Sequence, residues 1–388
     1  MTFVFRLLSF VIRPSHRGFA MSTFDATRFF RSDLSDFPPY SMGHTPLAEM
    51  DNFIKLDLNE NTYGPSPKAL AALKEMRHYN RYVGQEELRE AIARYVGVAA
   101  AHIVTSNGAD EMIDLIQRIF LDRGDAIIDC PPSFEMYGFF ARLNGARIVA
   151  VPRREDFSVD VEAIERNCEL GIANSDTPNS QFEIRNSKLI FLANPSNPDG
   201  GMLTHDQVER LLALPIIVVL DEAYAEFAGA SYATRVPTQP NLIVIRTFSK
   251  WAGLAGLRVG YCIAPRVIAA KIELCKSPEN VNAAGNVAAR ASLEDLDYLM
   301  ANVRRIVVER ERMARELAQL GFLQPFPSHA NFILCRVIGR DARAVYEALV
   351  ARGILIRAFS APRMREYLRI AIGRPEENEA VLKALRDL

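Results

Sequence analysis

Residues 247–261 read T-F-S-K-W-A-G-L-A-G-L-R-V-G-Y. The β-branched run L-I-V-I at 242–245, just before it, predicts a buried strand. Two hydroxyls, Thr247 and Ser249, and then Lys250 follow where that strand ends. Gly253, Gly256 and Gly260 come next, with Arg258 between the last two. A lysine held beside hydroxyls and an arginine points to an amine next to a bound anion. Burial and neighbouring positive charge both lower a lysine's pKa, and an unprotonated amine is a nucleophile. One lysine at a strand end is ordinarily a solvated residue. The spacing S-K-x-x-G-x-x-G-x-R-x-G-Y is far more specific than that.

Outward from this stretch, between about 100 and 265, short apolar runs alternate with helical or loop segments. The candidate strands are 103–106, 126–129, 147–151, 189–193, 216–220, 242–245 and 259–263. Near-continuous apolar strands separated in this way predict a mostly parallel α/β sheet covered on both faces. Helical patterns cover 68–76, 86–95 and much of 283–320, the last with many Arg and Glu at i,i+4 spacing. The final part predicts strands at 332–335, 354–356 and 367–372 and helices at 342–352 and 377–385, a small α/β unit. The polar stretch 171–187 reads as an irregular surface excursion. In open α/β sheets ligands bind beyond the carboxyl ends of the strands, and the distinctive polar segments here follow predicted strands.

The 388 residues suffice for one large domain and a smaller one. A net charge of −1, with no basic-aromatic interleaving, argues against a nucleic-acid partner. No apolar run reaches membrane-spanning length. Cys130, Cys168, Cys262, Cys275 and Cys335 have neither CxxC nor Cys/His spacing, so no metal site is expected and reduced thiols in a cytoplasm are. The first two dozen residues carry Arg6, Arg13 and Arg17 and no acid before Asp25. They read either as a targeting segment or as sequence upstream of a natural start at Met21. The second is the expectation, since Arg6 splits the apolar run, and the stretch is expected to lie outside the fold.

The other polar segments are individually modest. S-N-G-A-D-E at 106–111 is a glycine turn opening a helix, whose free N–H groups and dipole attract anions; it would equally serve as an ordinary capped helix. P-P-S-F-E-M-Y at 131–137 places Phe134 after a strand, N-P-S-N-P-D-G at 194–200 is a turn, and Asp221 in V-V-L-D-E-A-Y closes another strand. A carboxylate at the end of a buried strand needs a cation or donors to stay ionised. The Asp-Glu pair is Walker-B-like, but no G-x-x-x-x-G-K-[ST] or G-x-G-x-x-G accompanies it. Arg357 in G-I-L-I-R and Arg369 in Y-L-R-I-A-I-G lie on predicted strands, where a guanidinium fork can take a carboxylate or phosphate.

Together these motifs resemble those of the class I/II pyridoxal-phosphate aminotransferases, most narrowly the histidinol-phosphate aminotransferases, over roughly residues 38–388. The resemblance implies fold type I. A large domain at 99–283 would surround a mostly parallel seven-stranded sheet. A small domain would come from 65–98 and 284–388, with an arm at 38–64 and an extension at 1–37. It implies Lys250 as the amine that joins pyridoxal 5'-phosphate covalently. Thr247, Ser249, Arg258 and the backbone amides of Ala109 and Asp110 would hold the cofactor phosphate. Phe134 would stack on the pyridine ring, and Asp221 would face its nitrogen and keep it protonated. Asn197 and Tyr224 would donate to the phenolic oxygen. Arg357 and Arg369 would bind the anionic group of an amino donor or 2-oxo acid. Tyr63 would reach the neighbouring subunit's cofactor phosphate, and Tyr40 would close the substrate site across a homodimer. Phe134 stands where tyrosine is usual and Asp199 where threonine is usual, and the segment after Tyr82 is shorter than in the family. The implied reaction is ping-pong transamination of L-histidinol phosphate with 2-oxoglutarate, in histidine biosynthesis. A threonine-phosphate decarboxylase and an aromatic amino acid aminotransferase share the scaffold and are the alternatives; a non-catalytic cofactor-binding regulator ranks below both.

Overall fold

In the computed structural model, which describes residues 25–34, 37, 47–173 and 187–388, alternate residues of each apolar run enter two different cores. Leu189, Phe191, Val219, Ile243 and Ile245 belong to one cluster; Ile190, Leu192, Val218, Leu220, Leu242 and Val244 belong to the other. A strand covered on both faces has no polar side, which is why these runs read as unbroken apolar stretches.

The chain divides into two units, Met1–Ser41 and Met42–Leu388. The described part of the first is two 3-10 turns, Ala26–Phe29 and Ser32–Leu34. Asp25 accepts from the Thr27 amide at 3.0 Å, and Arg31 pairs with Asp33. The expectations for the first twenty residues and for Tyr40 lie outside the described residues, as does most of the 171–187 excursion.

The second unit opens with β1 (Ile54–Lys55), α1 (Pro67–Glu75) and α2 (Glu86–Val96). Then come β2 (Ile103–Ser106), α3 (Gly108–Phe120), β3 (Ala126–Asp129), α4 (Met136–Leu143), β4 (Arg147–Ala150) and α5 (Val161–Ala173). β5 (Ser187–Ala193), α6 (His205–Leu212), β6 (Ile217–Asp221), α7 (Ala225–Ala228), β7 (Leu242–Thr247), β8 (Gly260–Ile263) and α8 (Arg266–Cys275) follow. The remainder is α9 (Ala283–Leu293), α10 (Leu296–Gln319), β9 (Leu323–Pro325), β10 (Phe332–Val337), α11 (Ala342–Val350), β11 (Ile354–Leu355), β12 (Arg357–Ala358), β13 (Tyr367–Ala371) and α12 (Pro375–Arg386). Helix starts follow local chemistry. Ser66 caps α1 with Pro67 at its first position, Thr204 and Gln207 form a capping box on α6, and Asn282 caps α9.

The large sheet has seven strands in the order β2-β8-β7-β6-β5-β3-β4, with β8 antiparallel to both neighbours and every other pairing parallel. Ser106 pairs with Gly260, and Gly260 in turn with Thr247. Asp221 pairs with Ile245, and Ala193 with Asp221. The ends of β2, β5, β6 and β7 and the start of β8 therefore share one rim, and the loop carrying Lys250 leaves and re-enters the sheet at register partners.

A four-stranded antiparallel sheet, β12-β13-β10-β9, and a parallel pair, β1-β11, complete the strands. The segment after β1 continues that pairing: the Leu56 amide donates to Leu355 O, and the Ala371 amide to Leu56 O. Among the described residues no helix is long and apolar enough to cross a membrane.

Two expectations are corrected and two details are added. The single strand at 354–356 is two strands in different sheets, split at Ile356. The long helical stretch breaks between α9 and α10, where Glu294 and Asp295 sit outside both. β9 was missed, being three residues long and ending in proline. The excursion begins later than 171, since α5 runs to Ala173, and ends earlier, since Ser187 already pairs with Ala126.

Candidate active site

β6 is buried along its length and delivers Asp221, 5% exposed, to the rim. Its Oδ2 accepts from the Tyr137 hydroxyl at 2.8 Å and its Oδ1 from the Ala223 amide at 3.1 Å. Burial raises its pKa to about 6, against the pull of those two donors. Among the described residues no cation pairs with this carboxylate, although such burial calls for one. The next residue, Glu222, turns elsewhere. It takes Arg246 at 3.2 Å, the Ser231 hydroxyl at 2.5 Å and the Tyr232 amide at 2.6 Å. The Asp-Glu pair thus divides into one acid at the rim and one that ties the sheet to the following loop.

Lys250 comes from the loop between β7 and β8. It is half-buried, and its Nζ donates to Leu58 O at 2.8 Å. Desolvation first, then the positive charge of Arg369, lowers its pKa to about 8. Asp110 and Arg258 also act on it, so the amine, the opening of α3 and the small sheet converge on one place. Gly253 is needed in this loop at φ 67°, because a Cβ there would lie 2.5 Å from the carbonyl of Gly64. Asn61 completes the junction by donating to Trp251 O at 3.0 Å.

The Thr247 hydroxyl donates toward Ser249 Oγ at 2.9 Å and accepts from the Ser249 amide at 3.1 Å. Gly260 lets β8 approach the opening of α3: a Cβ there would stand 2.5 Å from the Gly108 carbonyl carbon. Beside it the Arg258 guanidinium pairs with Asp110 Oδ2 at 2.7 Å. The resemblance implies only a backbone role for Asp110; its carboxylate also holds the arginine in place.

Arg369 on β13 is 7% exposed. It donates to Asn197 Oδ1 at 2.6 Å and to Asp57 O at 2.8 Å, with its guanidinium carbon 5.2 Å from the Phe332 ring centroid. Arg357 is its register partner on β12. Directly opposed residues point to the same face of a sheet, and like charges so placed repel unless an anion lies between them. Tyr224 is 5% exposed; its hydroxyl accepts from Asn59 Nδ2 at 3.0 Å, and burial raises its pKa. Phe134 meets the edge of Tyr137, which is itself stacked on Phe191. The Tyr63 ring is flanked by Arg305 and Arg374 at 5.9 and 5.7 Å.

Four contributors carried little sequence signal. Tyr137 lies in a quoted motif but looks like core, and Asn59 looks like a turn residue. The carbonyls of Asp57 and Leu58 have no side-chain signature. Arg153, on the loop after β4, explains the departure at Asp199. The two side chains are buried and approach to 3.6 Å, while Asp199 also accepts from the Ser196 hydroxyl at 2.5 Å and the Gly201 amide at 2.9 Å. Arg153 also donates to Cys130 O and Phe157 O, so one guanidinium joins the loop of Phe134 to the turn of Asn197. Removing one partner of a buried pair strands the other charge. Arg153→Met is expected to cost about 3–5 kcal/mol in denaturant unfolding, and adding Asp199→Thr is expected to restore part of it.

A family model described as "Aminotransferase class I and II" matches residues 51–385. The chain is 48% identical over 379 residues to a histidinol-phosphate aminotransferase of Roseiflexus castenholzii, covering 93% of this chain and 98% of that protein. It is 40% identical over 370 residues to one of Dehalococcoides mccartyi, covering 94% and 99%. Among solved structures, a histidinol-phosphate aminotransferase of Sinorhizobium meliloti in complex with pyridoxal-5'-phosphate matches with a TM-score of 0.81 at 29% identity, over 95% of this chain and 98% of that one.

Proposed function

The chain belongs to the class I and II aminotransferases, and we propose that within them it transfers the amino group of L-histidinol phosphate to 2-oxoglutarate, in histidine biosynthesis, as a cytoplasmic homodimer with shared active sites. It is an enzyme of fold type I that uses pyridoxal 5'-phosphate.

The donor set fits that cofactor. A half-buried amine of lowered pKa suits an aldehyde, and a buried carboxylate that pairs with no cation among the described residues suits a protonated ring nitrogen. A helix opening with Arg258, Thr247 and Ser249 close by suits a phosphate. When bound, the cofactor supplies an electrophilic carbon for an amine and a ring that accepts the electron pair left on the substrate carbon.

The remaining work falls to side chains. Lys250, whose lowered pKa enlarges the unprotonated fraction of its Nζ, would be the cofactor's covalent partner and the base that carries a proton away from the substrate carbon. Asp221, oriented by Tyr137 and the Ala223 amide, would hold negative charge for a protonated ring nitrogen. Phe134 offers an aromatic face, while Asn197 and Tyr224 offer donors on the other edge. Arg369 and Arg357 take the substrate's anionic group.

The observation that carries this reading is the pairing of Lys250 and Arg369. Consecutive carbonyls, Leu58 O and Asp57 O, hold the reactive amine and the anion-binding guanidinium side by side. Two opposed guanidiniums suit a phosphate monoester better than one would, and the relatives at 40–48% identity are named for that substrate. They favour it over the decarboxylase and aromatic alternatives.

A coupled assay of purified protein on histidinol phosphate, O-phosphothreonine and phenylalanine decides among the three. Highest kcat/KM on the first with glutamate formed is the expected result, and carbon dioxide release from the second would reject it. Arg369→Ala is expected to weaken binding of anionic substrates by about 2–5 kcal/mol, read as a raised KM. An unchanged KM would place the anion elsewhere.

A further inference from the structure

Asn59 is 2% exposed and has φ 55°, the left-handed region that a non-glycine residue occupies at a cost. Its position is fixed from several sides. The Asn59 carbonyl accepts from Asn331 Nδ2 at 3.0 Å. The two preceding carbonyls hold Arg369 and Lys250. Lys55 reaches forward to both Asp57 and Glu60, at 3.0 and 2.6 Å, and tightens the same turn. A strained residue gripped in this way is a feature of functional sites.

What the strain secures is a contact of the side chain. Asn59 Nδ2 donates to the Tyr224 hydroxyl oxygen at 3.0 Å. A phenol that accepts from Asn59 must direct its own proton somewhere else. The ring is T-stacked on Phe332, which limits how it can turn. Asn59 Oδ1 is buried and meets no hydrogen-bond donor among the described residues. The amide is therefore not oriented by a bond of its own to the oxygen side; its paired atom is the one that faces Tyr224.

We propose that Asn59 is a positioning residue of the reaction: by donating to Tyr224 it fixes the direction in which the Tyr224 hydroxyl proton is offered. Asn59 acts through Tyr224, so the inference rests on the role given to Tyr224 above. The same donated bond pulls the Tyr224 pKa down against burial, which makes the phenol a better donor to an anionic oxygen.

Glycine is the residue best suited to φ 55°, and this separates backbone from side chain. Asn59→Gly is expected to keep or raise the melting temperature of the cofactor-free protein, yet lower kcat roughly tenfold with KM little changed. Asn59→Asp replaces the donor with acceptors and invites the Tyr224 proton toward residue 59. It is expected to move the pH midpoint of the bound cofactor's absorbance upward, as Tyr224→Phe does, and the double variant is expected to go no further. If Tyr224→Phe shifts that midpoint while both Asn59 variants leave it and kcat unchanged, the inference is overturned and the role of Tyr224 stands. If Tyr224→Phe itself changes neither, both fall together.

Discussion

Lys250→Ala is expected to lower kcat by about 10⁴-fold or more, because one side chain supplies both the nucleophile and the proton carrier. Borohydride reduction of the wild-type protein with its cofactor is expected to label Lys250, and the variant should take no label. The fold should survive, since Leu58 O loses a single donor and the loop stays pinned by Gly253 and Asn61. The pH dependence carries a definite sign. The folded amine titrates near 8, below the ordinary lysine value of 10.5, so between those values the unfolded chain binds more protons. This group therefore costs stability below about pH 8, and the cost is relieved as pH rises toward 10.5. Cofactor uptake by the cofactor-free protein should quicken through the same midpoint and level off above it. Undiminished transamination by Lys250→Ala, or a label at another lysine, would end the assignment.

Asp221→Asn is expected to separate stability from activity. Burial lifts the carboxyl from 3.8 to about 6. Between those values the folded chain holds more protons than the unfolded one, so stability falls as pH rises through the window. Above pH 6 the whole penalty is in force. Asparagine removes it, and the cofactor-free variant should melt higher than wild type at pH 7–8. With the cofactor bound the order should reverse, because the carboxylate has then gained its cation. Turnover should drop by the worth of one buried charge pair, about 3–5 kcal/mol, or roughly 10²–10⁴-fold in rate. A variant that melts lower without cofactor, or turns over normally with it, would show that Asp221 is not the charge facing the ring.

Strand positions in the large sheet were legible because burial on both faces leaves an apolar signature that turns interrupt. All seven strands fall within two residues of where the pattern places them. The two-residue strand β1 has no such signature, since its pairing depends on a partner three hundred positions away. Lys250 and Asp221 stand out because titratable groups near strand ends contrast with an apolar background, and Arg369 because it interrupts an apolar strand. Asn59 could not, since its function is set by a backbone dihedral and by a tyrosine 165 positions away. Arg153 escaped for a related reason. An arginine after a strand looks solvated until its carboxylate partner is found, and in the sequence Asp199 is only an oddity of its own turn.

Thr247 and Gly260, the feet of the lysine loop, face each other across β7 and β8. That makes residues 248–259 a tether of fixed span. An added or deleted residue there cannot slide into the flanking strands without breaking their register, so the whole error lands on the reactive nitrogen. Natural length variation should consequently be barred from this loop, however freely it occurs on the opposite rim. During folding, the Lys250 amine also has no address until β8 has zipped onto β7.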